Sequence, residues 1–159
     1  MAVRVGIGYD VHRTAEGRPL VLGGVTFESP FGLEGHSDAD VVCHAVADAL
    51  LGALALGDIG THFPPSDPTW RNASSLELLR LVRAMVEGHG ARIVNVDTMV
   101  VCEAPRLAPR RDAMTVAIAQ ALRVGAQQVS IKATTHEGLG AIGRGEGIAA
   151  WAVAAVETA

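Results

Sequence analysis

The sequence predicts one α+β domain of two layers, a mixed β-sheet with helices packed on one of its faces. Short apolar runs typical of strands alternate with longer Ala- and Leu-rich runs typical of helices. The 159 residues suffice for one sizeable core, so we treat 1–159 as a single domain. Apolar residues make up 49% of the chain and charged residues 19%, which is a globular composition.

The first half of the chain predicts a strand, a hairpin and a long helix. Residues 3–9 form the strand, and two short apolar runs around a Gly-Gly pair predict the hairpin. The segment 37–56 is rich in Ala, Leu and Val and predicts the helix. Ser37 is expected to cap this helix in a capping box with Asp40, and Gly57 to end it.

The second half alternates helices with strands. A loop rich in Pro, Ser and Asp leads into a helix over 74–87, which starts with the capping-box pair Ser74 and Glu77. The closing segment IAAWAVAAVE fits a strand or a helix by periodicity. Between the helix at 74–87 and this closing segment, we expect a strand at 93–102, a helix at 105–124 with prolines at its start, and a strand at 129–135.

Composition narrows the function classes. The net charge of −4 argues against a nucleic-acid binder that relies on a broad basic surface. No apolar run reaches about 18 residues, so no membrane-spanning helix is expected. The chain opens on a strand without a signal-peptide pattern, and its two cysteines form no recognisable pattern, so we expect free thiols in a reducing, cytoplasmic setting.

A metal site is the first chemical hypothesis. GIGYDVHR places Asp10 and His12 two residues apart, on one face of a strand. The long helix places Asp40, His44 and Asp48 at i, i+4 and i+8, on nearly one face. Asp10, His12 and His44 would supply three ligands with a fourth position open, which is the composition of a catalytic zinc site. The alternatives are solvated residues at a strand end, a structural histidine and a capping role for Asp40.

The glycine-rich segment GLGAIG matches GxGxxG but lies too near the end of the sequence for a dinucleotide-binding unit. Beside it, Thr134, Thr135 and Arg144 could bind phosphates, together with backbone N–H groups of the turn. Glu137 could hold a divalent cation that bridges those phosphates. An ordinary turn and a surface acid are the alternatives.

The loop after the long helix carries Asp58, His62 and Asp67. Such loops commonly contact substrates, although ordinary loop polarity explains the three residues as well.

Four motifs together resemble the family of 2-C-methyl-D-erythritol 2,4-cyclodiphosphate synthases of the non-mevalonate isoprenoid pathway. The motifs are GYDVHR, GHSDADVVCHAVADALLGALALGDIG, FPPSDP and KATTHEGLGAIGRGEGIA, and the resemblance runs nearly end to end. It implies a phosphorus-oxygen lyase acting on 4-diphosphocytidyl-2-C-methyl-D-erythritol 2-phosphate. In that reaction the 2-phosphate attacks the β-phosphorus, CMP leaves, and a cyclic diphosphate forms. The resemblance also implies a homotrimer with active sites between neighbouring subunits.

The family's site residues carry over by motif. The resemblance implies one zinc per chain on Asp10, His12 and His44, and a second ion, Mg²⁺ or Mn²⁺, on Glu137 with the substrate diphosphate. It places Thr135 among the catalytic residues. For the methylerythritol phosphate part of the substrate it implies His36, Ser37, Asp58, Gly60 and Phe63, and it adds Asp67 as a further substrate-binding residue. For cytidine it implies Cys102, Ala104, Pro105, Arg106, Leu107 and Ala108. Thr134 and Thr135 match the phosphate and nucleotide contacts, and Arg144 matches a residue near the trimer axis.

The sequence departs from the family pattern at two places. His136 follows Thr134-Thr135 where another Thr is common, and Ala141-Ile142 stands where Phe-Thr is common. Some family members hold an isoprenoid diphosphate on the trimer axis, near Arg144 and Glu146. Without the Phe, that axial cavity would have a different shape here.

Two other function classes stay open from the residues alone. One is a non-catalytic trimeric protein whose metal only holds a ligand or subunits together. The other is a zinc hydrolase acting on a phosphate ester. Release of CMP with a cyclic product from the cytidyl substrate would distinguish the cyclodiphosphate synthase from these two classes.

Overall fold

The computed structural model describes all 159 residues and has the predicted architecture, a mixed sheet with helices on one face. The strands are β1 (Ala2–Ala15), β2 (Leu20–Leu22), β3 (Val25–Phe27), β4 (Gly32–Leu33), β5 (Ala91–Val101), β6 (Val129–Thr134) and β7 (Gly147–Thr158). The helices are α1 (Val41–Ala53), α2 (Ile59–His62), α3 (Ser75–Gly88), α4 (Arg111–Leu122) and α5 (Gly140–Gly143). None of them is long and apolar enough to cross a membrane.

The main sheet has five strands in the order β4-β1-β7-β5-β6, and β2 and β3 form the predicted hairpin. Only β5 and β6 pair in parallel, so the sheet is mixed. The closing segment, which periodicity left open, is the central strand β7. It pairs with β1 on one side and β5 on the other, and these two ladders satisfy its backbone groups.

Two glycines let the first helix approach the sheet closely. The even-numbered residues of β1 face α1, and among them Gly6 and Gly8 are buried. A Cβ on Gly8 would lie 1.8 Å from the carbonyl oxygen of Ala45 in α1, and one on Gly6 would lie 1.9 Å from that of Ala49. Only glycine permits this contact between backbones. It sets the separation between β1 and α1, the two elements that carry the candidate metal ligands.

The opposite face of β1 and β7 is apolar and exposed. Val5 and Ile7 of β1 are 64% and 69% exposed, and Val153 of β7 is 44% exposed. Tyr9 and Trp151 are paired across the two strands, with ring centroids 4.6 Å apart. We call this surface the β1–β7 patch. Exposed apolar surfaces of this kind are typical of interaction sites.

The predicted start and end of the long helix were wrong. The helix begins at Val41, and its cap is Asp40 rather than Ser37. The Asp40 carboxylate accepts hydrogen bonds from the N–H groups of Val42 and Cys43, and it also accepts from the Gly-Gly turn of the hairpin. A carboxylate with four such donors is a stronger cap than a serine hydroxyl. The helix ends at Ala53, four residues before Gly57.

Other boundaries shift by shorter distances. The strand predicted at 3–9 extends to Ala15 because β7 pairs with it along nearly its whole length. Ser74 is the N-cap residue of α3, but its side chain makes no capping hydrogen bond. The predicted capping box with Glu77 is therefore absent, and Glu77 pairs with Arg80 instead. The helix predicted at 105–124 is shorter, because a 3₁₀ turn over Ala108–Arg110 precedes α4.

Candidate active site

Three predicted ligands converge between β1 and α1. Asp10 Oδ2 lies 2.9 Å from His12 Nε2 and 3.0 Å from His44 Nδ1. The two histidine nitrogens lie 3.3 Å apart. Asp10 and His12 share a face of β1, and Gly8 on the same face lets α1 bring His44 close enough to meet them. These three residues, which we call the ligand triad, form a group able to hold a metal ion.

The donor set and its spacing fit zinc. One carboxylate oxygen and two imidazole nitrogens are ligands that zinc accepts, and three protein ligands leave a fourth position for substrate. In a tetrahedral site with bonds of about 2.05 Å, two ligand atoms lie about 3.3 Å apart. The separations in the triad, 2.9 to 3.3 Å, are close to that value. The ligands therefore need little rearrangement to bind the ion.

The outer nitrogen of each histidine is also bound. His12 Nδ1 lies 2.7 Å from the backbone carbonyl oxygen of Glu34, which can only accept, so His12 donates Nδ1–H and keeps the Nε2 lone pair for a metal. His44 Nε2 lies 2.9 Å from the hydroxyl of Ser75 and 3.2 Å from that of Ser37. Both rings are thus oriented by contacts on the side away from the triad centre.

The charge of Asp10 favours metal binding, whereas protonation of His12 opposes it. Burial alone would raise the pKa of Asp10, but the hydrogen bonds and positive charge that His12 and His44 supply when their rings are protonated outweigh it and lower the pKa to about 2. Burial opposes the charged form of His12, yet its hydrogen bond with Asp10 and the charge of Asp10 raise the pKa of His12 above the ordinary 6.5. Asp10 therefore stays an anion at any physiological pH.

The other two acids of the long-helix motif do not join the triad. Asp40 caps α1, which was the alternative considered for it, and burial raises its pKa. Asp48 accepts the backbone N–H of Ile59 at 2.8 Å and so ties α1 to the loop that follows it. The i, i+4, i+8 spacing indicated one shared face, but Asp40 lies outside the helix and both carboxylates bind backbone groups.

A cavity of about 250 Å³ opens over the ligand triad. His36, Ser37, Gly60 and Phe63, four of the residues predicted to bind substrate, line it together with the triad. Sequence reasoning missed the apolar remainder of the lining, which comprises Ile59, Pro65, Trp70 and Leu78. This apolar part of the lining is suited to the carbon skeleton of a small ligand.

Asp58 and Asp67 do not line this cavity, and instead each caps a short helical turn that carries a lining residue. Asp58 caps α2 by accepting from the hydroxyl and the N–H of Thr61, and these bonds lower its pKa. Asp67 accepts the N–H of Thr69 at the start of a 3₁₀ turn, which lowers its pKa in the same way. Their predicted contact with substrate stays a prediction.

The residues predicted for cytidine and phosphates line a second cavity. They lie at the end of β5 and at the end of the parallel strand β6, where Thr134 pairs with Val101. Two predicted residues of this group are absent from the lining, namely Ala104, which lies in the turn before Pro105, and Arg144. The lining residues are Cys102, Glu103, Pro105, Arg106, Leu107, Ala108, Arg111, Ala133, Thr134 and Thr135.

Glu137 lies on an exposed loop just beyond this second cavity. Its backbone has φ of 53°, and its N–H bonds the Thr135 hydroxyl at 3.1 Å. The carboxylate of Glu103 accepts the N–H of His136 at 2.9 Å and so fixes the loop from the β5 side. Glu137 lines neither cavity, and no residue lines both. One chain thus carries the ligand triad and the predicted second-metal acid at separate places.

Arg144 forms an exposed ion pair with Glu146, with Nη2 and Oε2 3.2 Å apart. Glu146 lines a third cavity with Ala141, Ile142 and His12. Arg144 itself is not part of that lining. Ala141 and Ile142, two of the three residues that depart from the family pattern, thus line this cavity, whereas His136 does not.

Comparison with known proteins gives the family. A model of the YgbB family matches residues 3–157. The chain belongs to the YgbB family. It is 59% identical over 152 residues to 2-C-methyl-D-erythritol 2,4-cyclodiphosphate synthase of Symbiobacterium thermophilum, with 96% of this chain and 97% of the relative covered. The synthase of Desulfatibacillum aliphaticivorans is 56% identical, with 98% of this chain and all of the relative covered. Since these relatives are named synthases over their full length, the chain is an enzyme of this family.

Solved structures of family members share the fold. A CDP-bound 2C-methyl-D-erythritol-2,4-cyclodiphosphate synthase has a TM-score of 0.89 at 38% identity, with 97% of this chain and all of the other covered. The Plasmodium falciparum IspF CDP complex has a TM-score of 0.87 at 33% identity, covering 99% and 97%. The bifunctional IspDF of Campylobacter jejuni has a TM-score of 0.95 at 40% identity, and this chain covers 43% of it. The predicted family resemblance is confirmed.

Proposed function

We propose that the enzyme converts 4-diphosphocytidyl-2-C-methyl-D-erythritol 2-phosphate to 2-C-methyl-D-erythritol 2,4-cyclodiphosphate and CMP. The observation that carries the proposal is the ligand triad with its open position, in a cavity that apolar residues also line. Family membership supports the substrate, because close relatives carry that product in their names. The classification as a phosphorus-oxygen lyase in isoprenoid precursor synthesis follows from the same reaction.

The chemistry needs charge neutralisation and alignment rather than a protein nucleophile. An oxygen of the 2-phosphate forms a bond to the β-phosphorus while the bond from that phosphorus to the CMP oxygen breaks, so no water enters. Both reacting groups are anionic, and holding them in line removes much of the barrier. When bound, a zinc ion on the triad and a magnesium or manganese ion beside Glu137 would orient the phosphates and neutralise their charge. Neither Cys43 nor Cys102 is required, and burial raises the pKa of both thiols.

The remaining residues are assigned by cavity. In the first cavity, His36 and Ser37 bind polar groups of the methylerythritol part, and Phe63 packs against its carbon skeleton. In the second, Arg106 and the threonines Thr134 and Thr135 bind the cytidine phosphates, with Thr135 at the reacting diphosphate. Two solved relatives are CDP complexes, which supports a nucleotide site in this fold.

We further propose that the active enzyme is a homotrimer with sites between subunits. The β1–β7 patch is apolar and exposed in the single chain, and burying it would remove that surface from water. The triad cavity and the Thr134–Thr135 cavity share no lining residue, so neighbouring subunits would complete each other's site. An isoprenoid diphosphate on the trimer axis remains an expectation. Its cavity would be shaped by Ala141 and Ile142.

The experiment that tests the reaction is an incubation of the enzyme with the cytidyl substrate, zinc and magnesium, followed by chromatography and ³¹P NMR. CMP together with a cyclic diphosphate supports the proposal. CMP or another fragment together with an open-chain product would show that the protein is a zinc hydrolase. An unchanged substrate would show that it is a non-catalytic binding protein. The His44→Ala variant is the control, since it removes one ligand of the triad and should release no CMP.

A further inference from the structure

His44 lies between two hydrogen-bond acceptors, and this position decides which ring nitrogen is free for a metal. Its Nδ1 is 3.0 Å from Asp10 Oδ2, and its Nε2 is 2.9 Å from Ser75 Oγ. A neutral imidazole carries one N–H. If the proton is on Nδ1, it is donated to Asp10 and the metal position is blocked. If it is on Nε2, it is donated to Ser75 and Nδ1 keeps its lone pair.

The contacts of Ser75 select the second arrangement. Its hydroxyl donates to Asp38 Oδ1, because a carboxylate can only accept. Asp38 also accepts the N–H of Ser75 at 2.9 Å and the N–H of Asp40 at 3.1 Å, so three donors point at it. With its proton donated to Asp38, the Ser75 oxygen offers only lone pairs to His44. The Nε2 atom must therefore be the donor.

Burial makes this chain of contacts strong. Ser75 is 1% exposed and His44 is 7% exposed, so water cannot replace a lost partner without entering the core. Ser37 Oγ is a second acceptor for the same Nε2 but is farther away, at 3.2 Å. Ser75 is the first residue of α3, and Asp38 lies in the loop before α1, so the network also joins the two helices.

We propose that Ser75 and Asp38 are positioning residues that hold His44 in its Nε2–H tautomer and so present Nδ1 to the metal. The inference rests on the zinc site of the proposed function but adds residues outside it. Neither Ser75 nor Asp38 belongs to the triad, and neither lines the cavity above it. Partners of this kind, on the far side of a ligating histidine, fix its orientation and tautomer.

The first test measures zinc affinity of the metal-free proteins by competition with a chromophoric chelator. Ser75→Ala should bind zinc about 10- to 100-fold more weakly than the unmodified protein, the usual cost of losing such a partner. Ser74→Ala is the matched control, because its exposed side chain makes no capping bond and does not touch His44. Its zinc affinity should be unchanged. Asp38→Asn keeps one acceptor oxygen for the serine and should fall between the two.

The second test reads the tautomer directly by ¹⁵N NMR of the histidine rings in metal-free protein. His44 should carry its proton on Nε2 in the unmodified protein and in Ser74→Ala, and should shift toward Nδ1 in Ser75→Ala. A purely structural role would lower the free energy of unfolding without moving the proton. If Ser75→Ala fails to fold, Asp38→Asn provides the comparison.

Three results would overturn the inference. These are an Nδ1–H tautomer in the unmodified protein, an unmodified protein that binds no zinc, and a Ser75→Ala variant with unchanged zinc affinity and tautomer. CMP release is measured separately on the same samples. If the unmodified protein bound zinc in a Ser75-dependent way but released no CMP, the proposed reaction would be wrong and the positioning role would stand.

Discussion

Replacing Gly8 by Ala should damage both the fold and the metal site, because the two depend on the same backbone contact. The new Cβ would lie 1.8 Å from the carbonyl oxygen of Ala45, whereas an ordinary contact begins at 3.4 Å. α1 would have to retreat by about 1.6 Å, and a backbone carbonyl has no rotamer through which to escape. Overpacking typically costs about 1–3 kcal/mol, and we expect the upper end of that range or more.

The same retreat moves His44 away from Asp10. Metal sites tolerate ligand displacements of only about 0.2 Å, so zinc affinity should fall by a hundredfold or more. The assay is urea unfolding of the metal-free protein with zinc competition on the same samples. Gly52→Ala is the matched control in α1, since its Cβ would meet nothing closer than Ile7 O at 3.8 Å. The reasoning is refuted if Gly8→Ala keeps the unmodified free energy of unfolding and zinc affinity.

Three further predictions follow from the site and the surface. Glu137→Gln should keep its zinc content, but its turnover should fall by about a hundredfold and its requirement for added magnesium should rise. The measurement is a magnesium titration of CMP release. Normal turnover at low magnesium would show that Glu137 is only a surface acid. Zinc affinity should fall as the pH drops through the raised pKa of His12, because protons then compete with zinc for this ring, while Asp10 stays ionised down to about pH 2. A zinc affinity that does not change between pH 8 and pH 5 would contradict this. Light scattering of the unmodified protein should give a mass three times the 16.5 kDa of the chain. Trp151→Asp in the β1–β7 patch should lower that mass, whereas Val116→Asp, at an exposed position on α4, should not. A monomeric unmodified protein would contradict the proposal of active sites shared between subunits.

The ligand triad could be predicted because its spacing rules are local. Asp10 and His12 are two residues apart in a strand, and that alone places them on one face. That His44 comes to the same point depends on the distance between β1 and α1. The sequence signal for this close approach is the pair of glycines at alternate positions of one strand, Gly6 and Gly8.

The contacts that support the site could not be predicted, because they join residues far apart in the chain. Ser75 lies 31 residues from His44, and Glu103 lies 33 from His136. Nothing local marks either pair. The helix start at Ser37 was predicted wrongly for a related reason, since Asp40 owes part of its capping strength to the distant hairpin turn at Gly23 and Gly24. Local capping rules take account only of the residues near the helix start.

The central claim is that one phosphate of the substrate attacks another without the participation of water. The most direct measurement is to run the reaction in water enriched in ¹⁸O and to analyse CMP and the diphosphate product by mass spectrometry. Intramolecular attack predicts that neither product gains ¹⁸O, since the attacking oxygen comes from the 2-phosphate. One ¹⁸O atom in either product, formed at the rate of turnover, would show hydrolysis and contradict the account.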